Sequence, residues 1–216
     1  MRALMFALIT LLAGCAGAPA PTSPKGTGDL GVVVERARGT LAVVDTSERT
    51  LLAEVAGLGD LSHASVVFSR DGGSAFVFGR DGALSRVNLL TRRVEQRLMQ
   101  AGNSIGGAVS QDGTLVAAQN YQPGGVKVFD AKTLALVADI PAEFAPGRLS
   151  RVVGLADLPG RRFVFSLFDA DQIWIADLTD TAKPKLTKFE NVGRQPYDTL
   201  VTPDGRHYIA GLFGED

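Results

Sequence analysis

The chain has 216 residues, 45% of them apolar and 21% charged, which excludes a wholly disordered polymer. Twenty-two basic against 23 acidic residues leave a net charge of −1, so there is no basic excess to attract nucleic acid and no charged tail. A single cysteine and two histidines exclude an intrachain disulfide framework, a Cys-rich zinc site and an all-His metal site.

Met1-Arg2 is a short positive start, and Ala3 to Ala13 is an almost unbroken apolar run. That length suits a secretory h-region and is too short for a stable membrane-spanning helix. The run ends in Leu12-Ala13-Gly14-Cys15, which resembles a bacterial lipobox, the motif whose cysteine is lipidated and becomes the new N-terminus. The competing reading is an ordinary signal peptide with an incidental Cys. That the chain's sole Cys falls at this position favours lipidation, and hence a periplasmic protein held to a membrane through a lipid anchor at Cys15. Residues 1–15 are therefore read as signal peptide with lipobox, and residues 16–28, rich in proline and without periodicity, as a flexible tether.

Gly26-Thr27-Gly28-Asp29-Leu30-Gly31 matches the spacing of a dinucleotide-binding turn. Both flanks are wrong for that role: a tether precedes it where a strand belongs, and strand-like Val32-Val33-Val34 follows where a helix should start. No NAD site is credible here, and the segment reads as a flexible lead-in to a first strand.

From this point the sequence repeats. Phe68-Ser69-Arg70-Asp71-Gly72 recurs as Val109-Ser110-Gln111-Asp112-Gly113 and as Val201-Thr202-Pro203-Asp204-Gly205, with Leu158-Pro159-Gly160-Arg161 as a degenerate copy. Each is a β-turn signal. Each leads into a β-prone run: Ala75 to Phe78, Leu115 to Ala118, Phe163 to Phe165 and Tyr208 to Ala210. A second landmark is an apolar strand ending in Asp45, Asn88, Asp130 or Asp177; subtracting residue numbers spaces these by 43, 42 and 47. A polar turn follows each, then a last strand such as Leu134-Ala135-Leu136-Val137. Four short alternating strands in such a period are the signature of a β-propeller blade, and a parallel β-helix would have a shorter repeat. The expected fold is all-β, a β-propeller of about four blades over residues 29–216. The chain stops at Gly211 to Asp216 just after one strand of a further blade, so it is read as truncated, because an incomplete ring leaves an exposed sheet edge.

Three segments go beyond a generic propeller. They are Leu61-Ser62-His63-Ala64 running through Phe68 to Gly72 into Phe78-Gly79-Arg80-Asp81-Gly82, then Asn120-Tyr121-Gln122-Pro123-Gly124-Gly125-Val126, and Gln195-Pro196-Tyr197-Asp198 with Gly211 to Asp216. Together they resemble the NirF family of haem d1 biogenesis proteins, similar in turn to the d1-haem domain of cytochrome cd1 nitrite reductase. The resemblance implies an eight-bladed propeller in complete members, with the N-terminal half present here, and a periplasmic role in denitrification. It implies haem d1 or a haem d1 precursor as ligand. As partners it implies other haem d1 assembly proteins and the nitrite reductase itself.

Site residues follow from the resemblance position by position. His63 falls where the reductase has its proximal haem-iron histidine, and a neutral imidazole suits iron. Arg36 and Arg80, and more weakly Arg151, match arginines that bind haem carboxylates, for which a guanidinium fork is well shaped. Tyr121 matches a pocket tyrosine able to stack or to donate a hydrogen bond. Asp198 stands where the reductase carries a distal histidine; it departs from that pattern, agrees with the NirF pattern, and suggests acid/base work on a tetrapyrrole substituent. His207 is read as a surface residue. Three functions compete: an enzyme that oxidises a bound precursor with an outside electron acceptor, a carrier that passes the tetrapyrrole on, and a propeller that binds proteins through its loops.

Overall fold

The structure is a computed structural model and describes residues 26–215. Cys15 and the rest of the signal and lipobox reading lie outside the described residues. The chain is all-β. A 3-10 turn at Thr27–Asp29, the one helical element among the described residues, leads directly into the first strand.

The strands group into consecutive antiparallel meanders. β1 (Leu30–Glu35), β2 (Thr40–Asp45) and β3 (Thr50–Val55) form a three-stranded sheet. Three four-stranded blades follow in sequence order. The first contains β4 (Ser65–Phe68), β5 (Ser74–Phe78), β6 (Ala83–Asn88) and β7 (Arg93–Met99). The second contains β8 (Asn103–Val109), β9 (Leu115–Gln122), β10 (Val126–Asp130) and β11 (Leu136–Ile140). A small hairpin, β12 (Glu143–Ala145) and β13 (Arg148–Leu149), precedes the third, built of β14 (Val152–Leu158), β15 (Arg162–Leu167), β16 (Gln172–Asp177) and β17 (Lys185–Phe189). A two-stranded sheet of β18 (Pro196–Val201) and β19 (Tyr208–Leu212) comes last. The inner strands β4, β8, β14 and β18 are successive neighbours, so the sheets fan out as propeller blades.

The repeated landmarks are turn chemistry. In each Asp-Gly turn the carboxylate takes a hydroxyl two residues upstream and a backbone N–H two downstream. Ser69 Oγ lies 2.6 Å and Gly73 N 2.9 Å from Asp71; Ser110 and Thr114 hold Asp112, and Thr202 and Arg206 hold Asp204, in the same way. The following glycines, Gly72, Gly113 and Gly205, have φ of 68, 74 and 67°, where a β-carbon is strained. The Asp/Asn landmark ends a third strand or, in the first sheet, β2. Its side chain accepts the next turn's N–H groups, as Asp130 does from Lys132 at 3.0 Å and Thr133 at 2.7 Å.

Two expectations need correcting. The last strand of the second full blade starts at Leu136, because Leu134 closes the Asp130 turn at φ 53°, its N–H 2.9 Å from Asp130 O and its side chain buried. The final sheet has two strands, because β18 forms despite Pro196 and Asp198, residues that lower strand propensity.

The core lies between blades. β5 sends Ala75 and Val77 into a cluster with Leu41, Val43 and Leu58 of the preceding unit. Its alternate residues Phe76 and Phe78 join Val109, Val116 and Phe129 of the next blade. β9 does the same, with Val116 and Ala118 on one side and Leu115 and Ala117 packed toward Phe163, Phe165 and Trp174 on the other. This is why these central strands carry unbroken apolar runs, Ala75 to Phe78 and Leu115 to Ala118, while the outer strand β7 alternates between exposed and half-buried residues.

Candidate functional site

Antiparallel order puts the start of every inner strand and the end of every second strand at one end of the molecule. His63 precedes β4, Arg80 follows β5, Tyr121 is next to last in β9, Arg151 precedes β14, and Asp198 sits near the start of β18. β1 corresponds to a second strand, since the landmark strand β2 follows it, so Arg36 just beyond β1 belongs to the same end. The Asp-Gly turns lie at the other.

His63 and Asp198 line one cavity of about 300 Å³. Its walls are the inner strands: Ser65 of β4, Ile105 to Gly107 of β8, Val153 to Leu155 of β14, and Tyr197 to Thr199 of β18. Glycines make that convergence possible. A β-carbon on Gly154 would fall 2.1 Å from Thr199 Oγ1 and 2.3 Å from Tyr197 O, and one on Gly107 would meet Phe78 at 2.3 Å.

The inner strands are irregular where they meet the cavity. The register of β18 against β19 shifts between Pro196 and Thr199, and that of β14 against β15 between Val152 and Leu155. The β8–β9 pair shifts twice, leaving Tyr121 and Ile105 out of the ladder. Such bulges re-aim side chains, and here they fall on Tyr121 and on Tyr197-Asp198.

The segment carrying His63 is fixed from beneath by buried Leu58 and Leu61 and by an Asx turn in which Asp60 accepts the Ser62 N–H at 2.8 Å. The Arg80 N–H donates to Asp60 O at 2.9 Å, which ties the Arg80 turn to the His63 segment. Asp81, paired with Arg97 at 2.6 Å, braces the same junction. His63 is exposed, and among the described residues no hydrogen bond engages its imidazole.

Tyr121 lies beside the cavity, its hydroxyl 2.9 Å from that of Tyr197, which lines it. Burial, then the bond to Tyr197, pushes the Tyr121 hydroxyl up to about 12, against the pull of Arg151 and Arg80. At neutral pH it is therefore a protonated phenol. Arg151 grips Asp169 through two nitrogens, at 3.0 and 2.5 Å, and its guanidinium lies 4.4 Å from the Phe168 ring centroid. Burial alone would raise the Asp169 carboxyl; the Arg151 bonds outweigh it and hold the group below the usual carboxylate range. Arg36 and Arg80 are exposed turn residues, and among the described residues no ion pair engages either. Arg36 is not brought to the cavity wall. His207 is exposed in the turn before β19, at the end away from the cavity.

The cytochrome D1 heme domain pattern matches residues 25–216. The chain belongs to this family. It is 61% identical over 215 residues to Protein NirF of Stutzerimonas stutzeri, covering 99% of this chain and 54% of that protein. It is likewise 61% identical to Protein NirF of Pseudomonas aeruginosa, covering 100% of this chain and 55% of that one. The Dihydro-heme d1 dehydrogenase of P. aeruginosa is 33% identical over 148 residues, 68% of this chain and 30% of the enzyme. The chain thus spans about half the length of the NirF proteins it matches. A solved structure of Dihydro-heme d1 dehydrogenase NirN in complex with DHE superposes with a TM-score of 0.76 at 27% identity, over 89% of this chain and 42% of that one.

Within this cytochrome d1 heme domain, the structure brings His63 and Asp198 together, sets Tyr121 next to them through Tyr197, and leaves Arg36 and Arg80 outside the cavity wall. Phe168, Asp169 and the wall glycines carry no sequence signal of their own. Tyr197 and Phe213 stand inside the segments that carry the family resemblance, without a role attached to them.

Proposed function

We propose that the complete protein binds a haem d1 precursor in this cavity and oxidises it during haem d1 formation. His63 would ligate the iron, Arg80 and Arg36 would meet the carboxylate substituents, and Asp198 would take or give a proton. The observation that carries this reading is the shared cavity: His63 and Asp198, distant in sequence, come together where four inner strands converge. The geometry fits the ligand's chemistry. An exposed imidazole that no hydrogen bond engages among the described residues is available to a metal, and exposed guanidiniums outside any close ion pair there suit carboxylates. Similarity to a dihydro-heme d1 dehydrogenase supports catalysis over simple carriage. Dehydrogenation removes two electrons and two protons; Asp198 would accept one proton, solvent at the open cavity the other, and the electrons would pass to a separate redox protein.

The test is spectroscopic. In the complete protein loaded with haem d1, His63→Ala is expected to shift the Soret band, because axial ligation sets the iron's electronic state. An unchanged spectrum together with unchanged haem d1 formation in cells would remove His63 from the iron.

We further propose that the protein works in the periplasm, anchored through lipidated Cys15. Cys15→Ala is expected to move it from the membrane fraction to the soluble periplasm, since several acyl chains hold firmly where one is marginal. Retention of the variant on salt-washed membranes would rule the anchor out.

A further inference from the structure

Three aromatic rings cluster beside the cavity. Phe168 and Tyr197 meet edge to face at 5.8 Å, and Tyr197 and Phe213 lie 5.6 Å apart at a shallow 35°. Phe168 and Phe213, 6.0 Å apart, close the triangle. Phe168 is buried, whereas Phe213 is 73% exposed, an unusual place to leave a phenyl ring held by two others. Tyr197 belongs both to this triangle and to the cavity wall, so the cluster continues the cavity outward. The Arg151 guanidinium caps Phe168 at 4.4 Å and faces the Tyr121 ring at 6.0 Å. Its charge is already answered by Asp169 at 2.5 Å.

We propose that Phe213 and Tyr197 form a stacking shelf for the flat, conjugated face of a tetrapyrrole, that buried Phe168 backs this shelf, and that Arg151, pressed on Phe168, is a positioning residue that holds it. The proposal rests on reading the cavity as a tetrapyrrole site. The occupant follows from shape and polarity. A planar π-system covers the exposed ring, reaches the cavity through Tyr197, and leaves its polar edge to the cations of the rim. Arg151, neutralised by Asp169 and pressed against a ring, is poorly placed to serve as a free anion receptor, unlike Arg80.

The experiment uses the complete protein with metal-free coproporphyrin and its iron complex as probes. The metal-free probe cannot ligate His63 and so reports stacking and rim charge alone. Phe213→Ala is expected to weaken metal-free binding about tenfold, Phe213→Tyr to restore it, and His207→Ala, at the far end of the blades, to leave it unchanged. Arg151→Lys is expected to weaken binding by the same factor at low and high ionic strength, because a planar brace is lost and no screened charge contact is involved. Wild-type affinity of Phe213→Ala for both probes would overturn the shelf. A loss in Arg151→Lys that vanishes at high salt would assign Arg151 to a ligand carboxylate and overturn its positioning role. Failure of the wild-type protein to bind either probe would overturn the tetrapyrrole reading itself, and the shelf with it.

Discussion

Asp198→Ala is expected to abolish haem d1 formation in cells that depend on the complete protein, while the spectrum of bound haem d1 stays largely unchanged. Asp198 sits in the bulge of β18 and lines the cavity that holds His63. The ring contacts of this region belong to its neighbour Tyr197. Removing the carboxylate therefore takes away the proposed proton acceptor and leaves both the proposed iron ligand and the aromatic cluster in place. General acid–base groups contribute roughly 10²–10⁴-fold to a rate, enough to end product formation in a pathway without a bypass. Asp198→Asn is expected to behave like the alanine variant, because it keeps the shape and loses the proton chemistry. Loss of binding in both variants would make Asp198 a ligand-holding group, and the protein would then be better described as a carrier.

Gly154→Ala is expected to damage the site from behind. The added methyl would fall 2.3 Å from Tyr197 O and 2.1 Å from Thr199 Oγ1, far inside contact distance. Thr199 has little freedom to yield, because its hydroxyl is 2.7 Å from that of Tyr208, itself 2.6 Å from Ser166 Oγ. The strain must therefore go into β18, displacing Tyr197 and Asp198 together. Overpacking of this kind costs about 1–3 kcal/mol. The measurements are the unfolding midpoint in denaturant and tetrapyrrole affinity, with Gly28→Ala as control, since nothing lies within 4 Å of a β-carbon there. Equal behaviour of the two variants would show that β14 and β18 do not need their close approach.

The blade pattern was legible because turns are local chemistry. Asp71, Asp112 and Asp204 each hold their own turn with neighbouring backbone and hydroxyl groups, so the same few residues recur wherever the turn recurs. The β12–β13 hairpin was not legible, since Glu143 to Leu149 repeats nothing and pairs only with itself. At the candidate site, His63 and Asp198 are singled out only by family resemblance. What brings them together, the glycines of β8 and β14 and the bulges in three inner strands, depends on pairing partners far away in sequence. Arg151 shows the limit from the other side. Its residue type suggests a carboxylate receptor, and only the fold reveals that Asp169 already occupies its fork.

The division of each central strand between two interfaces bears on how the molecule comes apart. β5 gives Ala75 and Val77 to one cluster and Phe76 and Phe78 to another, and β9 is split likewise. No blade owns a core. Detaching one strips apolar cover from both neighbours at once, so local opening is penalised twice and the array behaves as a row of coupled units. The repeat is thus a unit of sequence pattern without being a unit of stability.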